Sequence, residues 1–305
     1  MRYRRLGRAL VSEISFGAWV LGGMYGRIEG EEARRLVEKA VDLGINLFDA
    51  ADVYGAGAAE RALGSLLAGR EVYVTTKVGY DFSGPRPVRR YDPAYVKRAI
   101  EASVERLGRR PLAILMHNPT AEDVEGGYAG FAALAKQYAD LSGVALGPET
   151  DVLEQGLAAL RAGAEALMFV FNALEQDPAL ELIERGAGRY LMARVPHATG
   201  ALATRAAPIT PGDHRSLRDP AWLKAAREVA EREIAPLAKE LGLTLSQYAL
   251  KYVLSYPIAT VVVTATSPEE LEEFAEASDG RPLPEDHLAK LREIYLSFKA
   301  SLQRG

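Results

Sequence analysis

The chain has 305 residues, of which 48% are apolar and 26% charged, with a formal net charge of −4 and no cysteine. This length and composition suffice for a large buried core, and the lack of cysteine excludes disulfide frameworks, thiolate metal sites and cysteine nucleophiles. The interspersed charges disfavour a nucleic-acid partner, no apolar run is long enough to cross a membrane, and the basic N-terminal stretch lacks the features of a secretory leader. These observations together predict a cytoplasmic protein.

Short β-like runs alternate with amphipathic helical runs along nearly the whole chain. A β-hairpin is predicted over residues 2–11, and eight units, each a strand and then a helix, follow it. The predicted strands are ISFGA, INLFDA, EVYVTTKV, PLAILMH, LSGVAL, ALMFVF, YLMARV and TVVVTA. The predicted helices span 31–44, 59–69, 93–108, 128–139, 150–162, 178–185, 245–256 and 268–277.

Eight such units in about 250 residues is typical of a (β/α)₈ barrel. A doubly wound open sheet is the structural alternative, but its G-x-G-x-x-G fingerprint does not follow the first strand. No linker or low-complexity run divides the sequence. The sequence therefore predicts one α/β domain over residues 1–305, a single TIM barrel with an N-terminal β-hairpin and additional C-terminal helices.

Ionisable side chains stand at the carboxyl ends of three neighbouring predicted strands. The second strand ends at Asp49 with Tyr54 in the loop that follows, the third ends at Lys77 and the fourth at His117. Barrel enzymes have their active sites at this end of the strands, and buried charges need partners. We therefore expect these four side chains to meet at one rim.

A set of this kind is suited to donating a proton to a carbonyl oxygen. Lys77 is expected to lower the pKa of Tyr54 by stabilising the phenolate, and Asp49 to hold Lys77 in place. His117 can orient a carbonyl oxygen toward the phenol. Because none of these groups supplies electrons, a reduction requires a cofactor that brings the hydride. Taken singly, each residue also has a structural interpretation: a turn cap for Asp49, a solvated rim residue for Lys77 and a packed histidine for His117.

Three segments, FDAADVYG, VTTKVG and LMHNP, resemble in order and spacing the catalytic segments of the aldo-keto reductases. The similarity extends through SFGAWVLGG, MARVPHATGALA, AKELGLTLSQYALKYVLSYP and TSPEELEEFAEA. It implies a barrel that reduces carbonyls with NADH or NADPH. By that resemblance Tyr54 is the general acid, Lys77 and Asp49 tune it, and His117 orients the carbonyl.

At the cofactor positions the sequence departs from the family's pattern. Ala145 and Leu146 replace the usual Ser-Asn pair that binds the nicotinamide amide, and Met168 replaces the usual glutamine. Arg194 stands where many members stack an aromatic ring on the nicotinamide. The resemblance implies that the cofactor is contacted by Gly17, Ala18, Trp19, Asp49, Asn172, Arg194, Thr264 and Glu270, and the substrate by Trp19, Tyr25, Tyr54 and His117.

Thr264 and Glu270 occupy positions where relatives often carry cations near the adenosine phosphate. A carboxylate opposes a 2′-phosphate, so a modest preference for NADH over NADPH is expected. The loop VRRY at residues 88–91 is expected to be solvated, and the remaining histidines show no metal-ligand spacing.

Two functions stay open. The first is an oxidoreductase that acts on a small-molecule carbonyl, with no nucleic acid or membrane as partner. The second is a barrel that keeps the four catalytic residues but serves as a nucleotide-binding regulatory protein or a non-redox enzyme. The intact set of four favours the first, and the altered nicotinamide positions favour the second.

Overall fold

Near-continuous runs of buried residues form most strands of this chain, because both faces of these strands pack against other parts of the protein. The computed structural model describes residues 1–23, 28–147, 151–205, 209 and 214–303. An antiparallel hairpin comes first, formed by β1 (Tyr3–Leu6) and β2 (Ala9–Ser12). The strands that follow are β3 (Ile14–Gly17), β4 (Leu47–Asp49), β5 (Tyr73–Val78), β6 (Tyr80–Asp81), β7 (Val88–Arg89), β8 (Ala113–His117), β9 (Leu141–Ala145), β10 (Ala166–Val170), β11 (Tyr190–Arg194) and β12 (Thr260–Val263).

Eight of these strands pair in parallel and close into a barrel, in the order β3-β4-β5-β8-β9-β10-β11-β12 and back to β3. The two short strands β6 and β7 form a separate antiparallel pair in the loop after β5. The predicted (β/α)₈ barrel and its N-terminal hairpin are confirmed, and the open-sheet alternative is wrong because the strands close on themselves.

Helices surround the barrel and follow its strands. They are α1 (Gly30–Asp42), α2 (Ala58–Leu66), α3 (Pro93–Leu107), α4 (Ala121–Tyr138), α5 (Val152–Arg161), α6 (Ala179–Arg185), α7 (Pro220–Val229), α8 (Ala235–Glu240), α9 (Leu245–Leu254), α10 (Pro268–Glu276) and α11 (Glu285–Leu302). A π-helical turn over Ala230–Ile234 joins α7 to α8. Among the described helices, none combines the length and apolar character that a membrane crossing needs.

One helix starts well before the predicted position. The sequence predicts α4 from residue 128, but it begins at Ala121, where Thr120 caps Asp123 N and Asp123 caps Thr120 N in return. This reciprocal capping satisfies two of the helix's free N–H groups. It outweighs the low helix propensity of Gly126 and Gly127, which lie in the first two turns.

The core has two layers on either side of the barrel wall. Inside the barrel, side chains such as Leu115, Met168 and Met192 pack against one another, and Leu6 and Val11 of the hairpin lie in the same cluster. Outside, the opposite faces of the strands pack against the helices. Because successive side chains of a strand point to opposite faces, a residue two positions after an inward-facing one also points inward.

Candidate active site

That alternation turns three ionisable side chains toward the barrel axis. Asp49 lies two residues after Leu47, and His117 two residues after Leu115; both leucines belong to the barrel's inner cluster. Lys77 pairs in register with Leu115 on the neighbouring strand. The second, third and fourth barrel strands thus bring their polar ends together, as the strand ends in the sequence led us to expect.

Asp49 and Lys77 form a buried ion pair. Lys77 Nζ lies 2.6 Å from Asp49 Oδ2, and the two side chains are 1% and 5% exposed. Lys77 also donates to the carbonyl oxygen of Ala50, and the Thr75 hydroxyl donates to Asp49 Oδ1 at 2.8 Å. Burial acts most strongly on the pKa of Lys77 and lowers it, but Asp49 and Tyr54 together outweigh burial and raise the pKa. The lysine is therefore held as a cation.

Tyr54 places its hydroxyl beside this cation. The Tyr54 Oη lies 3.4 Å from Lys77 Nζ, which also sits 5.1 Å from the centre of the ring. The turn that carries Tyr54 leaves no room for larger neighbours, since a Cβ on Gly55 would approach the carbonyl oxygen of Gly22 to 2.6 Å. Gly55 also has a φ of 58°, a conformation that glycine adopts without strain.

The pKa of Tyr54 differs in direction from the expectation. Burial is the largest influence and raises this pKa above 10.0, while Lys77 and, more weakly, Arg194 pull it down. Lys77 lowers this pKa as expected, but desolvation of the phenolate exceeds its influence. In this state the phenol keeps its proton at neutral pH.

His117 completes the rim as a neutral imidazole. Burial, followed by the charges of Lys77 and Arg194, lowers the pKa of His117 well below 6.5. Its ring meets the rings of Tyr54 and Tyr80 edge to face, at 5.9 and 5.1 Å. Nδ1 is buried and has no hydrogen-bond partner among the described residues.

The loop after β5 approaches this histidine more closely than predicted. Val88 and Arg89 pair with Tyr80 and Asp81, the Tyr91 hydroxyl donates to the carbonyl oxygen of His117 at 2.5 Å, and Arg89 donates to Asn118 O. Val88, Arg89 and Arg90 are exposed, as expected of a solvated loop, whereas Tyr91 is partly buried. The sequence did not predict the contact of Tyr80 with His117, because a two-residue strand is too short to give a periodic pattern.

A cavity opens above the rim and runs toward the ends of β11 and β12. Trp19 forms one wall and stacks on Tyr54, with ring centres 4.9 Å apart and planes 16° from parallel. The lining residues are Gly17, Trp19, Asp49, Tyr54, Arg194, Val195, Pro196, His197, Thr199, Gly200, Arg215, Val262 and Thr264. Ala18 is fully buried and absent from this lining, and Tyr25 lies outside the described residues.

The other half of the rim, at β9 and β10, is apolar. Ala145, Leu146 and Met168 are all buried, and none carries a polar side chain. Arg194 reaches across from β11 and donates to the carbonyl oxygen of Leu146 at 2.9 Å. A second cavity adjoins here, and it shares Arg194, Val195 and Thr199 with the first.

Asn172 holds the loop that follows Arg194. Its side-chain nitrogen donates to Val195 O at 3.0 Å and to Glu175, while its oxygen accepts from Leu174 N. Val195 has a φ of 59°, which is rare and strained for a β-branched residue. The amide of Asn172 is thus occupied, and Asn172 lines neither cavity, so the geometry argues against the expected cofactor contact.

Near the start of α10, Thr264 lines the first cavity but Glu270 does not. Glu270 accepts from the backbone N–H and the hydroxyl of Thr266, at 2.7 and 3.0 Å. The ring of Phe274 packs under His197, 4.6 Å between centres, and burial first of all lowers the pKa of His197 to about 4. His197 is therefore neutral at the cavity wall.

A second buried carboxyl lies behind the rim, and sequence reasoning missed it. Asp52 is 1% exposed and has no side-chain partner among the described residues; the backbone N–H groups of Gly79 and Val53 point toward it without forming close hydrogen bonds. Burial, then the nearby charge of Glu60, raises the pKa of Asp52 well above 3.8. Glu60 itself is paired, with Arg106 Nε at 2.7 Å and the Thr76 hydroxyl at 2.5 Å.

Known proteins resemble this chain over nearly its whole length. The model of the aldo/keto reductase family matches residues 13–296. The chain belongs to the aldo/keto reductase family. As a member of this family, with relatives named as oxidoreductases, the protein is an oxidoreductase.

Several relatives match almost the whole chain. An uncharacterized oxidoreductase, YqkF, of Bacillus subtilis is 26% identical and covers 96% of both chains. A probable voltage-gated potassium channel subunit beta of Arabidopsis thaliana is 27% identical over 93% of both. The solved glycerol dehydrogenase AKR11B4 of Gluconobacter oxydans superposes with a TM-score of 0.80 at 22% identity, covering 97% of this chain and 95% of that one. That last likeness bears on the fold alone.

Proposed function

We propose that the protein reduces an aldehyde or ketone to an alcohol with NADH or NADPH, and that Tyr54 is the proton donor. The observation that carries this proposal is the buried Lys77–Asp49 ion pair, with Tyr54 Oη 3.4 Å from Lys77 Nζ at the head of a cavity. A phenol next to a permanent cation can release its proton when an oxyanion develops beside it.

Each of the four residues has a separate task in this proposal. Tyr54 Oη donates its proton to the carbonyl oxygen, and the ammonium of Lys77 stabilises the phenolate that remains. Asp49 keeps Lys77 protonated and fixed in place. His117, a neutral imidazole whose ring centre lies 5.9 Å from that of Tyr54, would orient the carbonyl oxygen toward the phenol.

The residues along the cavity fit a dinucleotide cofactor. When bound, the reduced nicotinamide supplies the hydride that the carbonyl carbon accepts. The cavity begins at Tyr54, and the one carboxylate among its described lining residues, Asp49, is already paired with Lys77. Gly17, Trp19, Arg194 and Thr264 would hold such a group, since all four line this space.

We expect NADH to bind somewhat more tightly than NADPH. Glu269 and Glu270 stand in the first turn of α10, just after Thr264 and Thr266. A 2′-phosphate placed here would meet carboxylates, and the contact of Glu270 with Thr266 keeps one of them at this end of the helix.

A second candidate function is nucleotide binding without efficient turnover. It is favoured by the apolar half of the rim at Ala145, Leu146 and Met168, and by the likeness to proteins named as probable potassium channel beta subunits. In that case the protein would bind NADH or NADPH and reduce no carbonyl at a useful rate.

One experiment separates the two candidates. The purified protein is titrated with NADH and NADPH by fluorescence, and oxidation of each nucleotide is then followed with short-chain and aromatic aldehydes and ketones. Binding together with carbonyl-dependent oxidation supports the reductase. Binding without oxidation over the whole panel supports the second candidate, and absence of binding contradicts both.

A further inference from the structure

Arg194 is the one charged side chain that reaches the apolar half of the rim, among the described residues of β9, β10 and β11. Its guanidinium crosses from the end of β11 to Leu146 O, past the end of β10. The described structure places no carboxylate within 4.0 Å of this guanidinium. It is half-buried and lines both cavities.

The backbone around Arg194 fixes this placement. Phe171 N donates to Arg194 O, and Asn172 Nδ2 donates to Val195 O, which holds Val195 at its strained φ of 59°. Strain of this kind persists only where surrounding contacts enforce it, and it is concentrated at functional sites. The backbone that carries the guanidinium is therefore held in place by hydrogen bonds from Phe171 and Asn172.

The charge of Arg194 reaches the residues that would handle the carbonyl. Arg194 opposes the burial that raises the pKa of Tyr54, and it adds to the burial and the Lys77 charge that lower the pKa of His117. A hydride donor must lie within a few ångströms of a carbonyl held by those two residues, so its ring must enter the cavity that Arg194 lines.

Resting on the proposed function, we propose that Arg194 makes the protein bind the reduced nicotinamide more tightly than the oxidised one. The oxidised ring is a cation and the reduced ring is neutral. A neighbouring guanidinium without a carboxylate partner in the described structure raises the free energy of the cationic ring and leaves the neutral ring nearly unaffected. The oxidised product is thereby released more easily than the reduced cofactor.

The lack of amide-binding side chains strengthens this role. The side chains of Ala145, Leu146 and Met168 offer no hydrogen bond, whereas the guanidinium has N–H groups besides the one bound to Leu146 O that would donate to the carboxamide oxygen of the same ring. Arg194 is then the main polar contact at this end of the site, and its charge acts at short range. A lysine would keep the charge but not the planar fork of donors.

The test compares dissociation constants of NADH and NAD⁺ for the full-length protein, measured by fluorescence and calorimetry. The unmodified protein is expected to bind NADH at least tenfold more tightly than NAD⁺. Arg194→Gln should reduce that ratio at least fivefold, and Arg194→Lys should retain most of it. NADPH and NADP⁺ should show the same change, because Arg194 acts on the ring and not on the adenosine.

Arg218→Gln is the matched control. Arg218 lines the second cavity, but Glu175 already neutralises it at 2.7 Å, so this variant should leave the ratio unchanged. If Arg194→Gln does not fold by circular dichroism, Arg194→Met takes its place. A ratio at or below one in the unmodified protein overturns the proposal without any variant.

The remaining outcomes also decide the matter. If Arg194→Gln weakens both redox forms equally, Arg194 binds the pyrophosphate or the amide alone and the proposal is wrong. Absence of nucleotide binding overturns it together with the proposed function. If Arg194→Gln lowers the preference for NADH over NAD⁺ as expected but the protein reduces no carbonyl, this inference holds and the reductase proposal fails.

Discussion

The two halves of the barrel rim differ in polarity: one carries buried, paired charges and the other apolar side chains. At β4 and β5 the buried charges of Asp49 and Lys77 are paired at 2.6 Å and supported by Thr75 and Ala50. At β9 and β10 the equivalent positions are apolar, and a single arginine covers them from β11. The first half thus holds the paired charges that the proposed proton transfer needs, whereas the second half offers apolar side chains and the charge of Arg194.

Breaking the ion pair should have the largest effect on the first half. Lys77→Met leaves Asp49 buried without a cation, which costs about 3–5 kcal/mol of unfolding free energy. Carbonyl reduction should fall by a factor on the order of 10²–10⁴, because the phenolate of Tyr54 loses its stabilising charge. Steady-state kinetics and urea unfolding measure the two effects.

A double variant separates catalysis from folding. Asp49→Asn together with Lys77→Met removes both charges, so most of the lost stability should return while activity stays low. Recovery of activity in the double variant would show that the loss came from misfolding and that Lys77 has no catalytic task.

Asp52 is a second buried carboxyl near the first half of the rim, but unlike Asp49 it has no cationic side chain paired with it. Its pKa is raised on folding, chiefly by burial, so the unfolded chain ionises first as the pH rises above about 4. Its contribution to stability is therefore full at low pH and is lost as the pH rises toward the folded pKa. Each unit of pKa shift corresponds to about 1.4 kcal/mol.

Asp52→Asn should remove this pH dependence. Thermal unfolding of both proteins between pH 4 and 9 should show the variant gaining stability relative to the unmodified protein as the pH increases. An Asp52→Asn protein whose deficit or gain is the same at every pH would mean that Asp52 is ionised in the folded state.

The smallest effect is expected at the adenosine end of the second half. Glu270→Arg should shift selectivity from NADH toward NADPH by about 1 kcal/mol, and the shift should diminish at high salt. Glu270→Gln controls for the lost contact with Thr266. Tighter NADPH binding by the unmodified protein would show that a residue other than Glu270 decides cofactor choice.

The sequence sufficed for the barrel and for the meeting of Asp49, Tyr54, Lys77 and His117, because strand parity and strand ends are local properties. It could not supply the net direction of the Tyr54 pKa, which depends on burial by residues distant in the chain. Tyr80 and Tyr91 contact His117 from the loop that contains β6 and β7. These strands are too short to show a periodic sequence pattern, so the contacts could not be predicted.

Asn172 shows the same limit in the second half. The family resemblance implied that Asn172 contacts the cofactor, whereas its side-chain amide is hydrogen-bonded to Val195, Glu175 and Leu174. Val195, which Asn172 supports, has a φ of 59° that a β-branched residue rarely adopts. Local sequence patterns do not predict this backbone conformation.

The most direct test of the account is Tyr54→Phe, which removes one hydroxyl and keeps the ring that stacks on Trp19. The turnover number for carbonyl reduction should fall by a factor on the order of 10²–10⁴, while the dissociation constants of NADH and NADPH stay within about twofold. A Tyr54→Phe variant that still reduces the carbonyl at the original rate would contradict the assignment of Tyr54 as the proton donor.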